Sequence, residues 1–229
     1  AGTDAKMRNT KESILEAQFT SGAGNWCTWM FGRDLVNWNN NFTWAKWVTP
    51  SRDLISAFKQ EGDEVRFKES IVYYDCNWSN YYPSDNYPFM YKCRSANSSI
   101  IKYRYADVLL LKAEALIMQD TPDLEGAADI IDKVRDRAKL GALPTSVRSN
   151  KNAMLNALLK ERRLELAFEG QRWFDLVRLD KVEEVMNAVY AKDSGRKAQI
   201  YTFDKNSYRL PIPQSVIDAN DKIHQNPGY

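Results

Sequence analysis

From residue 100 onward the apolar positions recur at steps of three and four. Ala106, Leu109, Leu110, Ala113, Leu116 and Ile117 trace one face of an amphipathic helix, and Leu124, Ala127, Ala128, Ile131 and Val134 trace a second. Thr121-Pro122 restarts the chain between them, with Pro122 read at the first helical position, where its missing N–H costs nothing. A connection this short makes the two helices antiparallel neighbours. Gly141 and Pro144 close the pair. A third helix is predicted from about Asn150 to Phe168, with Gly170 in the left-handed position past its end. Arg172–Arg178 and Val182–Ala191 read as a fourth, shorter and bent. Tyr201-Thr-Phe203 and Arg209-Leu-Pro-Ile-Pro213 flank Asp204–Ser207 as a hairpin-like turn, and Val216-Ile217 marks a short last helix.

The first 99 residues have a different texture. Residues 8–19 read as a short helix with Thr10 as N-cap, broken by Ser21-Gly-Ala-Gly24. From Asn25 to Pro50, Trp and Phe crowd together with Asn37, Asn39, Asn40 and Asn41, a turn-prone composition. Ser51–Phe58 is a short helix capped by Ser51 and ended by Gly62-Asp63, and Phe67–Tyr74 reads as a strand. Residues 75–99 form a long polar and aromatic excursion with Pro83 and Pro88, and loops this long inside a compact domain are usually functional. The expected division is a loop-rich, aromatic ligand-binding region at 1–99 and a helical region at 100–229. The helical hairpins are roughly 35–40 residues each, the size of a tetratricopeptide unit. Two pairs are fewer than the three or so repeats a solenoid needs, so they must pack on something else.

Composition narrows the function classes. Among the 229 residues, 32 basic and 30 acidic side chains leave a net charge of +2, which gives no electrostatic case for nucleic acid. No apolar run approaches the roughly 18 residues of a membrane span. Cys27, Cys76 and Cys93 lack zinc spacing, and Cys76 and Cys93 are read either as closing a short loop or as free buried thiols. The aromatic residues are segregated. Trp26, Trp29, Trp38, Trp44, Trp47 and Trp78 all precede residue 80, and Tyr73, Tyr74, Tyr81, Tyr82, Tyr87 and Tyr91 crowd one segment.

Catalytic chemistry finds little to work with. His224 is the sole histidine, which removes multi-histidine metal sites and leaves a surface or loop role. The Ser21–Gly24 stretch lacks the Lys-Ser/Thr of a phosphate loop. Glu165 and Glu169 stand one helical turn apart, and a retaining glycosidase wants a carboxylate pair about 5–5.5 Å apart. Yet Arg162 and Arg172 lie at helical contact distance from them, and a neighbouring cation lowers a carboxylate pKa, the wrong direction for a general acid. Arg162 also falls on the apolar stripe of its helix, where a charge is stable only if paired. The stretch therefore reads as an ion-pair lock between helices, with Asp107 and Glu114 as further candidates. No catalytic residue, metal or cofactor is expected.

Trp26, Trp29, Trp38, Trp44, Trp78, Tyr81 and Tyr82 fall in predicted loops amid Asn and Ser, and are the candidate ligand-binding residues. Aromatic faces stack on sugar C–H surfaces while amides fix hydroxyl groups. Part of this set packs, because irregular regions also need large side chains to bury.

Five motifs occur in order: Arg104-Tyr-Ala-Asp-Val-Leu-Leu-Leu-Lys-Ala-Glu-Ala115, Val134-Arg-Asp-Arg-Ala138, the stretch Glu161–Arg178, Leu210-Pro-Ile-Pro213 and Gln225-Asn-Pro-Gly-Tyr229. Together they resemble the C-terminal half of the SusD/RagB family of nutrient-binding outer-membrane lipoproteins. Glu12–Phe19 and Pro50–Phe58 also resemble elements of that family's middle region. The resemblance implies a mainly α protein, with tetratricopeptide-like helical hairpins packed on an irregular loop-rich region and minor β structure. It also implies a lipid-anchored protein on the surface of Bacteroidetes. Such a protein binds glycans, or in some members peptides, and hands them to a partner SusC-like TonB-dependent transporter. A lipid-bearing N-terminal cysteine and the N-terminal half of such proteins are not seen, since Cys27 is internal, so the chain is expected to pair with a missing N-terminal half. A purely structural helical adaptor is the remaining alternative.

Overall fold

The computed structural model describes residues 9–19, 49–76, 79–92, 99–193 and 202–229. The candidates Trp26, Trp29, Trp38, Trp44 and Trp78 lie outside these residues, as do Cys27 and Cys93. The chain divides into two compact units, Ala1–Arg172 and Trp173–Tyr229.

The helical core of the first unit follows the apolar stripes. Helices α3 (Tyr105–Met118), α4 (Leu124–Arg137), α5 (Thr145–Arg148) and α6 (Lys151–Glu165) enclose one cluster. Leu110, Ala113 and Ile117 of α3 meet Ala127, Ala128 and Ile131 of α4 and Met154 and Leu158 of α6 there, all fully buried. The α4 start differs from the expectation. Asp123 is the cap, its carboxylate accepting from Gly126 N–H at 2.9 Å, and Pro122 lies outside the helix. A carboxylate that satisfies an orphan N–H outranks a residue that merely lacks one.

Asn150 caps α6 in the same way, its Oδ1 accepting from Ala153 N–H at 2.9 Å. Asn150→Ala is expected to cost about 1 kcal/mol and to lower the melting temperature by about 2–4 °C. An unchanged thermal melt would show that this cap contributes nothing. The helix stops at Glu165 rather than Phe168. Residues 166–170 form a turn in which Phe168 and Gly170 adopt φ of 65° and 80°.

Two short helices precede the core. Ser51 caps α1 (Arg52–Glu61), and Gly62 ends it at φ 69°, the left-handed conformation glycine tolerates. Asp63 then caps α2 (Glu64–Ser70), so the strand expected over 67–74 is helix up to residue 70 and strand only over β2 (Ile71–Tyr74). β2 pairs antiparallel with β3 (Tyr87–Met90), an element inside the supposed irregular stretch, in the register Ile71↔Met90 to Tyr74↔Tyr87. β3 is buried throughout.

Of the helix expected over 8–19, the described residues, 9–19, are not helical. Their centre is β1 (Ser13–Ala17), antiparallel to β4 (Ile100–Arg104). Glu12 explains the choice: its carbonyl accepts from Tyr105 N–H at 2.7 Å, and its Oε1 accepts from Ala106 N–H and from Arg104. Those long-range bonds override a weak local helix propensity.

From Arg172 onward, the expected bent helix is two helices. α7 (Arg172–Arg178) and α8 (Val182–Lys192) are separated at Asp180, whose φ is 53°. The expected hairpin is instead a 3-10 turn over Lys205–Tyr208, closed by a reciprocal capping box between Asp204 and Ser207. Helix α9 (Gln214–Asp218) follows as expected. Among the described residues, no helix is long and apolar enough to cross a membrane.

Candidate functional site

Glu161, Glu165 and Glu169 recur every four residues, so α6 and the turn after it hold three carboxylates in a row. Glu161 and Glu165 are almost fully buried, as are Arg66 and Arg104. Arg104 stands at the end of β4. Its Nε and Nη2 clamp both Glu169 oxygens at 2.7 and 2.9 Å. The same guanidinium gives Nη1 to Glu165 Oε1 at 2.7 Å and Nη2 to the Glu165 carbonyl at 2.8 Å. Arg66 of α2 reaches Glu161 at 2.6 Å and Glu165 at 3.1 Å while its Nε bonds Asp63. Arg137 also bonds Glu165, Lys92 pairs with Glu169 at 2.5 Å, and Arg135 joins Glu61 to Glu161 at 2.7 and 3.4 Å.

The electrostatic outcome differs along the row. Burial pushes the Glu165 carboxyl up, but Arg104 and Arg137 outweigh it and hold it down at about 2. Glu169 behaves alike, with burial overcome by Lys92 and Arg104. For Glu161 burial prevails over Arg66 and Arg135, and its pKa is raised. A carboxyl held near 2 has no proton to give at neutral pH, so Glu165 cannot serve as a general acid.

The ion-pair lock is therefore present, with partners other than those expected. Arg162, almost fully buried, pairs with Asp107 of α3 at 2.9 Å, which places Asp107 in contact with α6 as proposed. Arg172 donates to the Leu159 carbonyl at 3.0 Å. Charges adjacent on one helix were expected to hold Glu165 and Glu169; charges from β4, α2 and α4 do so. A helix neighbour shares the same exposed or buried strip, whereas a guanidinium arriving from another element can meet the carboxylate head-on.

The second site is built on the loop between β2 and β3. Tyr81 and Tyr82 are half-buried, and with Cys76, Ser79, Asn80, Pro83 and Ser84 they line an open cleft of about 790 Å³. The loop is pinned at several points. Cys76 N–H donates to the Ser84 carbonyl at 2.6 Å, and the buried Tyr87 hydroxyl lies 3.1 Å from Ser79 Oγ and 3.2 Å from Thr49 Oγ1. Tyr82 donates its hydroxyl to the Pro50 carbonyl at 2.7 Å. The Arg52 guanidinium lies over both rings, 4.1 Å from the Tyr81 centroid and 4.4 Å from that of Tyr82. Tyr81 and Tyr82 meet edge to face at 5.1 Å and 87°, and Tyr82 meets Tyr87 similarly at 5.6 Å.

Tyr82 packs against two clusters at once. One is Cys76, Tyr87 and Phe89 under the β2–β3 loop; the other is Ile55, Phe58, Ile71, Leu164 and Ala167 beside α1. Tyr81 touches only the first. Cys76 is a buried free thiol. The sequence carried no signal for Arg52, Thr49 or Ser79; Arg52 and Thr49 meet tyrosines 29 and 38 residues later, and Ser79 meets Tyr87 across the β2–β3 loop. Among the described residues, no group of three His, Cys, Asp or Glu side chains is placed to hold a metal ion.

The SusD family model matches residues 82–229. The chain is 42% identical over 99 residues to SusD-like protein P38 of Formosa agariphila, covering 41% of this chain and 19% of that protein. It is 35% identical over 143 residues to SusD-like protein P2 of the same organism, covering 59% of this chain and 27% of that one. A solved SusD homologue from Bacteroides thetaiotaomicron superposes with a TM-score of 0.74 at 21% identity, over 95% of this chain and 52% of the other. Surface glycan-binding protein A of Bacteroides thetaiotaomicron superposes with a TM-score of 0.68 at 19% identity, over 98% and 54%. The chain thus spans about half the length of these solved chains, and at such identities the likeness is one of fold. With the family model matched across most of its residues, the chain belongs to the SusD family.

Proposed function

We propose that this protein binds glycans at the bacterial cell surface without transforming them, and passes them to a SusC-like TonB-dependent transporter in the outer membrane. A lipid anchor would hold it there. Membership of the SusD family supports carbohydrate binding, as does the fold shared with a protein named for glycan binding.

The observation that carries the reading is the cleft at Tyr81 and Tyr82. It is open, about 790 Å³ in volume, and combines aromatic surface with the Asn80 amide and the hydroxyls of Ser79 and Ser84. Saccharides need both components: flat rings for their C–H faces, and amide or hydroxyl groups for their hydroxyls. Trp26, Trp29, Trp38, Trp44 and Trp78 are further ligand-binding residues in this proposal. Tyr82, packed between two clusters, contributes mainly by supporting Tyr81. Binding rather than hydrolysis fits the fate of the one carboxylate pair considered for catalysis, since Glu165 is held ionised and Glu169 is clamped by Arg104.

Isothermal titration against a panel of oligosaccharides and peptides tests this. A glycan is expected to bind, and Tyr81→Ala to weaken it roughly tenfold, the effect of about 1.4 kcal/mol, with little change in the thermal melt. Affinity for peptides alone would replace the ligand class. Absence of any ligand would favour the structural adaptor.

A further inference from the structure

We infer that Arg52 is a positioning residue of the tyrosine cleft, fixing the planes of Tyr81 and Tyr82 against which a sugar ring would lie. The inference rests on the glycan-binding reading of that cleft. Arg52 is not itself one of the lining residues. It acts through the two rings, and its geometry toward them is specific. The guanidinium carbon stands 4.1 and 4.4 Å from the two ring centroids, within cation–π range of both. Its Nη2 also donates to the Tyr81 carbonyl, so one side chain holds both the backbone and the ring of Tyr81.

What makes this a positioning device is where Arg52 comes from. It is the first residue of α1, directly after Ser51, whose side chain caps the helix by accepting from Leu54 N–H at 3.1 Å. Pro50, on the other side of that cap, accepts the Tyr82 hydroxyl. Ile55 and Phe58 anchor the same helix in a buried cluster with Leu164 of α6. Both tyrosines are therefore referenced to one helix start as well as to their own loop. The two rings stand nearly perpendicular, at 87°, and form a corner. A ring held only by its loop would sample other staggered side-chain rotamers, and the corner would be lost for part of the time. The planar guanidinium suits the task better than an ammonium, because it stacks flat and donates from its edge at once.

The test compares wild type, Arg52→Ala and Arg52→Lys, with glycan titration and with the ring resonances of Tyr81 and Tyr82 in tyrosine-labelled protein. Arg52→Ala is expected to weaken glycan binding by about three- to tenfold, the scale of a lost cation–π contact with its hydrogen bond. It should also shift and broaden both tyrosine resonances in the absence of ligand. Arg52→Lys should restore part of each effect, which loss of fold would not do. If Arg52→Ala does not fold, Arg52→Gln takes its place in the comparison. Unchanged tyrosine resonances in Arg52→Ala would overturn the inference whatever binds. Altered resonances with wild-type affinity would also overturn the role in binding. If wild type takes no glycan while the resonances respond to Arg52, the ring clamp stands and the glycan reading fails.

Discussion

Arg104→Ala is expected to lower the melting temperature by on the order of 10 °C in a thermal melt followed by far-UV circular dichroism. Removing one partner of a buried ion pair costs about 3–5 kcal/mol, and each kcal/mol shifts the melt of a chain this size by about 2–4 °C. Arg104 supplies five hydrogen bonds, to Glu12, Glu165 and Glu169, from a side chain only 8% exposed. Its loss leaves Glu169 with Lys92 and Glu165 with Arg66 and Arg137, while burial of both carboxylates continues to disfavour their charge. Arg104→Lys is not expected to rescue, because an ammonium cannot grip both Glu169 oxygens and reach Glu165 together. Arg148→Ala is the comparison. Arg148 also meets three carboxylates, Glu125, Asp129 and Asp132, but two of those are largely solvent-exposed, so solvent screens them and the melt is expected to move little. Equal melts for the two variants would show that burial does not set the strength of this network.

Stability is also expected to fall in acid, by about 3 kcal/mol from Glu165 alone as the pH drops from near 5 to near 2. The folded carboxyl titrates at about 2 against an ordinary 4.5. Between those values the unfolded chain binds more protons, so stability rises with pH across that window and is fully present above it. Glu169 and Glu61, both held low by cations that outweigh their burial, act in the same direction. Glu161 acts oppositely: its raised pKa means that the folded state takes up a proton first, so it contributes some stability back as the pH falls. Urea unfolding at a series of pH values measures the sum, and Glu165→Gln should flatten most of the slope between pH 5 and 2. A slope unaltered by that substitution would assign the acid sensitivity to other carboxylates.

The ion-pair row illustrates what could be read from sequence and what could not. That Arg162 needed a partner was legible, because a charge on an apolar stripe cannot stay unpaired. That Asp107 supplies it, and that Arg66, Arg104 and Arg137 converge on Glu165, required the chain to be folded, since these partners come from 28 to 99 residues away. The tyrosine cleft shows the same limit. Tyr81 and Tyr82 are legible as loop aromatics, yet nothing in the sequence links them to Arg52.

The elements divide along similar lines. Helices α3, α4 and α6 were determined by the sequence alone, because their apolar residues repeat with the period of the helix and their faces are long enough to outvote any alternative. The caps at Ser51 and Gly62 were likewise local. Residues 13–17, the helix ending at Ser70 and the buried strand Tyr87–Met90 were decided by the tertiary structure. Each is too short for its own propensity to prevail, and each takes its form from hydrogen bonds and burial provided by distant segments. The same reason governs the two sites: residue types can be read in order along the chain, but the meeting of a guanidinium with a carboxylate or a tyrosine ring is a property of the fold.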